Sequence, residues 1–233
     1  MIIFILFIIT YRFNLKSNNF NRINENIINS QVNDIIEDNR GILWFATIGE
    51  GIFSFNRFSD EWQHYSSITN NADDTGKSVI CLLKDKKNRL WVGTEGGGLG
   101  IYDANSNTFK SAMNSNTGLP NDVIYKLIED DKGFIWGSTN KGIFRLNPDN
   151  MNVVIFTHSN GLLGDQFNYK SGFKSYDGKI YFGGVKGFVA FLPDNLGINE
   201  YLPPVVLNSF QIRNKEVSLT EKDSPLKKSI TYT

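Results

Sequence analysis

The sequence predicts an all-β chain folded as a partial β-propeller, and three observations carry that prediction. A large aromatic recurs at Trp44, Trp91, Trp136 and Tyr181, at spacings of 47, 45 and 45 residues. Fixed offsets from it repeat as well. Six residues earlier stand Asp38, Asp85, Asp130 and Ser175; three earlier stand Gly41, Asn88, Gly133 and Gly178; three later stand Thr47, Thr94, Thr139 and Gly184. Glycine or asparagine is what a tight hairpin requires where φ turns positive, and a β-branched threonine suits a strand end. Finally, 18 Phe, 9 Tyr and 4 Trp in 233 residues suit strands better than helices. Four short strands per period of about 45 residues is the signature of a propeller blade.

Taken in order, residues 1–30 read as an apolar leader followed by the tail of a truncated preceding blade. Ile2–Ile9 is apolar throughout, but it is far shorter than the ~20 residues that span a bilayer. It also lacks the basic start of an export signal, so a signal remnant is the lesser alternative. Tyr11–Phe20, YRFNLKSNNF, matches the blade ends FSFNRFSDEW and GIYDANSNTF. Within residues 31–200, four repeats occupy about 31–65, 78–112, 123–158 and 168–192. The third shows the layout best. Strand Ile124–Ile128, turn Asp131-Lys132-Gly133, strand Phe134–Gly137, turn Asn140-Lys141-Gly142 and strand Ile143–Leu146 form an antiparallel meander. Fourth strands follow in HYSS after Trp62, FKSA from Phe109 and VVIF from Val153. Four blades and a tail form an open arc, expected to expose apolar faces on its first and last blades. Pro203-Pro204 ends the pattern, and residues 201–233 contain two further strand signals, Val205–Ile212 and Glu216–Leu219.

The recurring pattern of Glu-Asp, a turn, Leu-Trp, a small residue and Thr-Gly resembles the propeller repeats in the periplasmic sensor region of bacterial hybrid two-component regulators. Gly161–Leu196 is similar to that family's last blade, where Tyr replaces Trp, and Pro203–Val217 resembles the opening of the Y_Y_Y domain, an immunoglobulin-like sandwich. The resemblance covers about residues 11–233. It implies a ligand-sensing segment of a membrane-spanning hybrid histidine kinase, placed in the periplasm, with an oligosaccharide as ligand. Its implied partners are the remaining blades and the transmembrane kinase portion of a parent chain, with homodimerisation through the sandwich. The kinase, phosphoacceptor and receiver segments are absent from these residues, so no catalytic residue and no cofactor is expected.

Strand polarity sorts the loops. If the innermost strand of each blade runs down, the Asp-x-x-Gly turns lie at the bottom, and the turns after Trp-x-x-Thr return to the top beside the links between blades. The top face then carries Glu50, Glu95, Asn140, Lys141 and Lys186 from the turns, with Gly49 and Gly96, and Asn121, Asp122, Gln166, Asn168 and Tyr169 from the links. Amides, carboxylates, amines and an aromatic are groups that bind sugars.

Several classes are disfavoured. With 24 basic and 24 acidic residues and no long basic run, there is no electrostatic footprint for nucleic acid. Cys81 is the sole cysteine, and His64 and His158 stand without a third ligand at metal-binding spacing, so no metal site is expected. Gly96-Gly97-Gly98 lacks the Lys-Ser/Thr and the helix of a phosphate loop. The Asp…Gly…Trp turn is close to the hairpins of sialidase propellers, yet Arg40 and Arg89 fall in bottom turns, and Arg57 and Arg145 in or after third strands. A protein-binding scaffold and, less favoured, a carbohydrate-active propeller enzyme remain as alternatives to the sensor.

Overall fold

The computed structural model describes residues 2–6, 9–14, 18–22, 27–68, 76–196, 211–212 and 215–216. It is all-β, with a propeller arrangement of four successive antiparallel sheets. The first is β4 (Val32–Glu37), β5 (Ile42–Thr47), β6 (Ile52–Asn56) and β7 (Glu61–Tyr65). The second is β8 (Val79–Lys84), β9 (Leu90–Thr94), β10 (Leu99–Asp103) and β11 (Thr108–Met113). The third is β12 (Ile124–Glu129), β13 (Ile135–Thr139), β14 (Gly142–Leu146) and β15 (Val153–Phe156). The fourth has three strands among the described residues, β16 (Phe167–Lys174), β17 (Ile180–Gly184) and β18 (Gly187–Phe191). Each is a meander hydrogen-bonded in chain order.

Ahead of them β1 (Ile2–Leu6), β2 (Ile9–Asn14) and β3 (Asn19–Arg22) form a three-stranded sheet. Most of the apolar leader is thus strand β1, paired antiparallel with β2. The chain divides into a unit of Met1–Leu196 and a second of Gly197–Thr233. In the second, β19 (Gln211–Ile212) and β20 (Lys215–Glu216) pair antiparallel. The rest of the expected sandwich lies outside the described residues.

The first strands β4, β8, β12 and β16 neighbour one another in that order, which makes them the inner strands of the arc. Side chains reach across these seams: Asn33 Nδ2 donates to Val79 O at 2.8 Å, and Leu82 N to Asp34 Oδ2 at 3.0 Å.

The repeated aspartate explains the repeated tryptophan. Asp130 Oδ1 accepts from Lys132 N and Phe134 N, each at 2.9 Å, while Oδ2 accepts from Trp136 Nε1 at 2.8 Å. Asp85 repeats this with Lys87 N, Arg89 N and Trp91 Nε1, and Asp38 with Arg40 N, Ile42 N and Trp44 Nε1. One carboxylate therefore closes the bottom hairpin and satisfies an indole that is at most 1% exposed in all three blades. Full burial of a Trp is worth at most about 4–6 kcal/mol on area bookkeeping. An orphaned N–H would take back about 1–3 of that, so the acid is what lets the ring go fully inside. In the fourth blade the aromatic is Tyr181, which has no N–H to satisfy, and the acid position holds Ser175, whose Oγ donates to Lys179 O at 3.1 Å.

The hairpin column behaves as its residue types require, with φ of 77° at Gly41, 62° at Asn88, 86° at Gly133 and 84° at Gly178. The threonine column does more than favour a strand. Thr47, Thr94 and Thr139 donate Oγ1 to Gly51 O, Gly98 O and Gly142 O at 2.8, 2.8 and 2.9 Å, closing the top turns. Gly93 is needed for close approach between blades, because a Cβ there would stand 3.0 Å from Ile124 Cβ.

The blades meet through these aromatics. The Trp44 ring lies 4.8 Å from Tyr102 and 5.8 Å from Phe109 of the second blade, and Trp136 lies 4.8 Å from Phe191 of the fourth. At the bottom the residue seven before each aromatic alternates in charge, Glu37, Lys84, Glu129, Lys174. Lys84 Nζ donates to Glu37 O at 2.9 Å and Lys174 Nζ to Glu129 O at 3.2 Å, tying each lysine to the blade before it.

The last blade exposes the expected apolar face: Tyr181 is flanked across the sheet by Phe173 and Ala190, and Phe173 and Phe188 are 64% and 66% exposed. The first complete blade does not. Phe45, Phe53 and Phe55 are buried in a cluster with Val32 and Leu43, in the compact unit that also holds the β1–β3 sheet.

Three outcomes follow for denaturation experiments. Asp130→Ala should destabilise the chain by about 2–5 kcal/mol, since it leaves two hairpin N–H groups and a buried indole unpaired. Asp130→Ser combined with Trp136→Tyr, which copies the fourth blade, should cost clearly less than the sum of the two single changes. Asp38 governs an acid limb. Burial opposes its ionisation, but hydrogen bonds from Ile42 N, the Arg40 side chain and Trp44 outweigh burial and hold its pKa below 3.8. Because the folded value is depressed, its contribution is present above the unfolded pKa and is lost as pH falls through the folded one. A urea-midpoint series below pH 4 should therefore fall less steeply for Asp38→Asn than for the parent.

Candidate functional site

The links between blades are built first. Ser115–Thr117 and His158–Asn160 are single 3-10 turns, each closed by the acid seven residues on: Ser115 N donates to Asp122 Oδ1 at 2.5 Å and His158 N to Asp165 Oδ1 at 2.6 Å. Asn121 Oδ1 accepts from Val123 N at 2.8 Å. Glu50 Oε2 accepts from Asn29 N at 3.3 Å and Ser30 Oγ at 3.0 Å. Of the expected site residues, Asn121 and Asp122 are thus engaged in holding their own link, and Glu50 in tying its turn to the segment ahead of β4.

Others converge across three blades. Each inner strand is bulged near its top: the register slips between Ile124 and Lys126, and again between Phe167 and Gly172. Such slips leave residues out of the ladder and re-aim them. Tyr125 sits in the first bulge and Tyr169 in the second, and their rings lie 4.6 Å apart. Tyr169 OH donates to Glu95 Oε1 at 2.6 Å, and Tyr125 OH donates to Asn140 Oδ1 at 2.7 Å. The result is a chain from Glu95 in the second blade, through the two tyrosines on β16 and β12, to Asn140 in the third. Tyr125 is nearly buried while Tyr169 is 51% exposed, so the pair offers one open aromatic surface on a fixed base. Burial, then the Glu95 carboxylate, pushes the Tyr169 phenol up to about 12, so it keeps its proton and donates.

Asn140 is shared with a cleft of about 500 Å³ between the tops of the third and fourth blades. Lys141, His158, Asp165, Gln166 and Lys186 line the rest of it, with Gly164 and Val185. Asn168 is exposed on β16 outside both groups. The top-face assignment therefore brings Glu95, Asn140, Lys141, Gln166, Tyr169 and Lys186 into one continuous region. Sequence reasoning missed Tyr125, because the bulges on β12 and β16 differ in length and Tyr125 and Tyr169 occupy different repeat positions. It also missed His158 and Asp165, although Asp165 repeats the place of Asp122 in its link. Cys81 is fully buried, and burial pushes its thiol up to about 12, which leaves it inert. Among the described residues no three His, Cys, Asp or Glu side chains are grouped to hold a metal. No helix among them is long and apolar enough to cross a membrane.

Comparison with known proteins fits this architecture. Residues 26–49, 74–96 and 118–141 match the family model described as Two component regulator propeller. The chain is 26% identical to Histidine kinase P4 of Formosa agariphila over 94% of its own length, spanning 20% of that relative. Among solved structures it is similar to the extracellular domain of BT4673 from B. thetaiotaomicron, assigned to the hybrid two component systems, with a TM-score of 0.66 at 22% identity. That match covers 80% of this chain and 27% of the other. Virginiamycin B lyase from Staphylococcus aureus shares the fold too, with a TM-score of 0.59 at 13% identity, over 79% of this chain and 62% of the lyase. This chain therefore spans about a fifth of its curated relative, and three of its four repeats carry the pattern of the Two component regulator propeller within a fold that enzymes also use.

Proposed function

We propose that this chain is a ligand-sensing segment of a hybrid two-component histidine kinase, that it works outside the cytoplasm, and that its ligand is an oligosaccharide taken at the top of the arc. The observation that carries this reading is the fixed chain Glu95–Tyr169–Tyr125–Asn140, which presents an aromatic surface next to an amide and an open polar cleft. Aromatic surface for a sugar ring beside a few oriented polar groups is how concave sites take small polar ligands. The three segments matching the regulator propeller model and the likeness to Histidine kinase P4 support the sensor role.

The site draws on three blades, so a ligand bridging them favours one relative placement of the blades over others. That preference is the differential affinity a sensor requires, since a ligand that binds two arrangements equally transmits nothing. The remaining blades and a kinase portion of the parent chain are the partners that would receive the shift. A protein-binding scaffold is favoured instead by one observation, the apolar lateral face of the fourth blade at Phe173, Tyr176 and Phe188. A carbohydrate-active enzyme would need turnover, which the same experiment scores.

Isothermal titration of the full chain with a panel of oligosaccharides tests the reading. At least one should bind, Tyr169→Ala should weaken it roughly tenfold, about 1.4 kcal/mol, and Tyr169→Phe should weaken it less, because the ring remains. Absence of binding across the panel, or binding untouched by Tyr169→Ala, contradicts the assignment; product formation reassigns the site to an enzyme.

A further inference from the structure

We infer that the saccharide taken at this site is acidic, bearing a carboxylate or a sulfate ester on the ring, and that Lys141 and Lys186 hold the anionic group across the cleft between the third and fourth blades. The inference rests on the proposed function and specifies its ligand.

Four observations carry it. Lys141 and Lys186 occupy the same top turn in successive blades, and both line the ~500 Å³ cleft. Neither ammonium makes an ion pair or a hydrogen bond among the described residues, in contrast to the bottom of the arc. There Lys86 and Lys174 reach Asp131, Lys87 reaches Asp149 and Lys132 reaches Asp194. Four bottom lysines thus meet carboxylates, and these two top lysines do not.

Each acid near the top already accepts a hydrogen bond. Asp165, the one acid lining the cleft, is tied by its Oδ1 to His158 N, and Glu95 receives Tyr169 OH. Two further top carboxylates are bonded as well, Asp122 within its own link and Glu50 to Asn29 and Ser30 ahead of β4. Lys186 is also placed rather than loose, because its stem lies along Gly164, where a Cβ would come within 3.1 Å of its Cδ. A side chain held along its stem loses less freedom when its head binds.

A second pair of lysines lies in the same two blades. Lys126 and Lys170 follow Tyr125 and Tyr169 on the inner strands, and neither has an ion-pair partner among the described residues. Burial, offset in part by Asp34 and reinforced by Lys126, lowers the pKa of Lys170. The opposed arrangement, an aromatic surface for a ring and two ammonium groups beyond it, matches a sugar with one acidic substituent better than a neutral one. An ammonium–anion contact is a charge-assisted hydrogen bond, stronger than a neutral one and weakened by salt.

The test uses the full chain and two matched sets of disaccharides, cellobiose and lactose, each as the neutral sugar, the 6-sulfate and the uronic acid formed at C6. Titration should find an acidic member at least about tenfold tighter than its neutral parent, with affinity falling as NaCl rises from about 50 to 300 mM. Lys141→Gln and Lys186→Gln should each weaken the acidic probe about five- to tenfold and the neutral parent clearly less. Lys132→Gln, which removes a paired bottom lysine, should change neither. Which acidic member wins, sulfate or uronate, names the anion. Neutral sugars binding as well as their acidic forms, or acidic probes binding unchanged to both lysine variants, overturns the inference and leaves the sugar-binding site standing. If neither neutral nor acidic probes bind, the inference fails together with the site.

Discussion

The structure depends on one interaction made three times, the hydrogen bond from a buried tryptophan indole to the aspartate six residues before it. A propeller blade must place a large apolar body between two sheets, and Trp supplies the most area per residue at the cost of one N–H. Asp38, Asp85 and Asp130 accept that N–H with the oxygen left free after the other has bound two backbone amides of the hairpin. Hairpin geometry and interblade packing are thereby fixed by a single carboxylate. Where the ring has no N–H, at Tyr181, the carboxylate gives way to Ser175, as a functional coupling between the two positions requires.

Much of this was legible in the sequence, because the period, the aromatic column and the hairpin glycines are local signals repeated four times. The strand positions follow from them directly, and so does the side of the arc on which each turn lies. The partner of each aspartate was not legible, because a residue before a turn reads as a hairpin cap whether or not an indole reaches it. Nor was the threonine bond to the carbonyl of the following glycine, or the alternation of Glu37, Lys84, Glu129 and Lys174, although all four residues sit at one repeat position. The burial of Phe45, Phe53 and Phe55 ran against the expectation of an exposed first blade, since a run of apolar side chains does not state what covers it.

The site shows a different limit. Ten polar residues were expected on the top face, but polarity does not tell which of them are engaged with their neighbours and which stay open. Glu50, Asn121 and Asp122 accept hydrogen bonds from nearby backbone, while Tyr125 meets Tyr169 through a bulge whose length the repeat alignment did not carry. The contrast between faces is equally a property of three-dimensional pairing. Lys86, Lys132 and Lys174 at the bottom meet carboxylates of neighbouring blades, whereas Lys141 and Lys186 at the top have no ion pair among the described residues. Fold likeness adds nothing to this distinction, since a lyase and the extracellular domain of a hybrid two component system share the architecture.

Hydrogen exchange of the four indole N–H groups, followed by two-dimensional NMR, tests the central claim most directly. Trp44, Trp91 and Trp136 should exchange slowly and lose protection together on unfolding, whereas Trp62, which stacks on Phe45 and Phe55 and has no aspartate six residues before it, should exchange fast. Equal exchange of all four, or rapid exchange of any of the three from the folded state, would contradict the account.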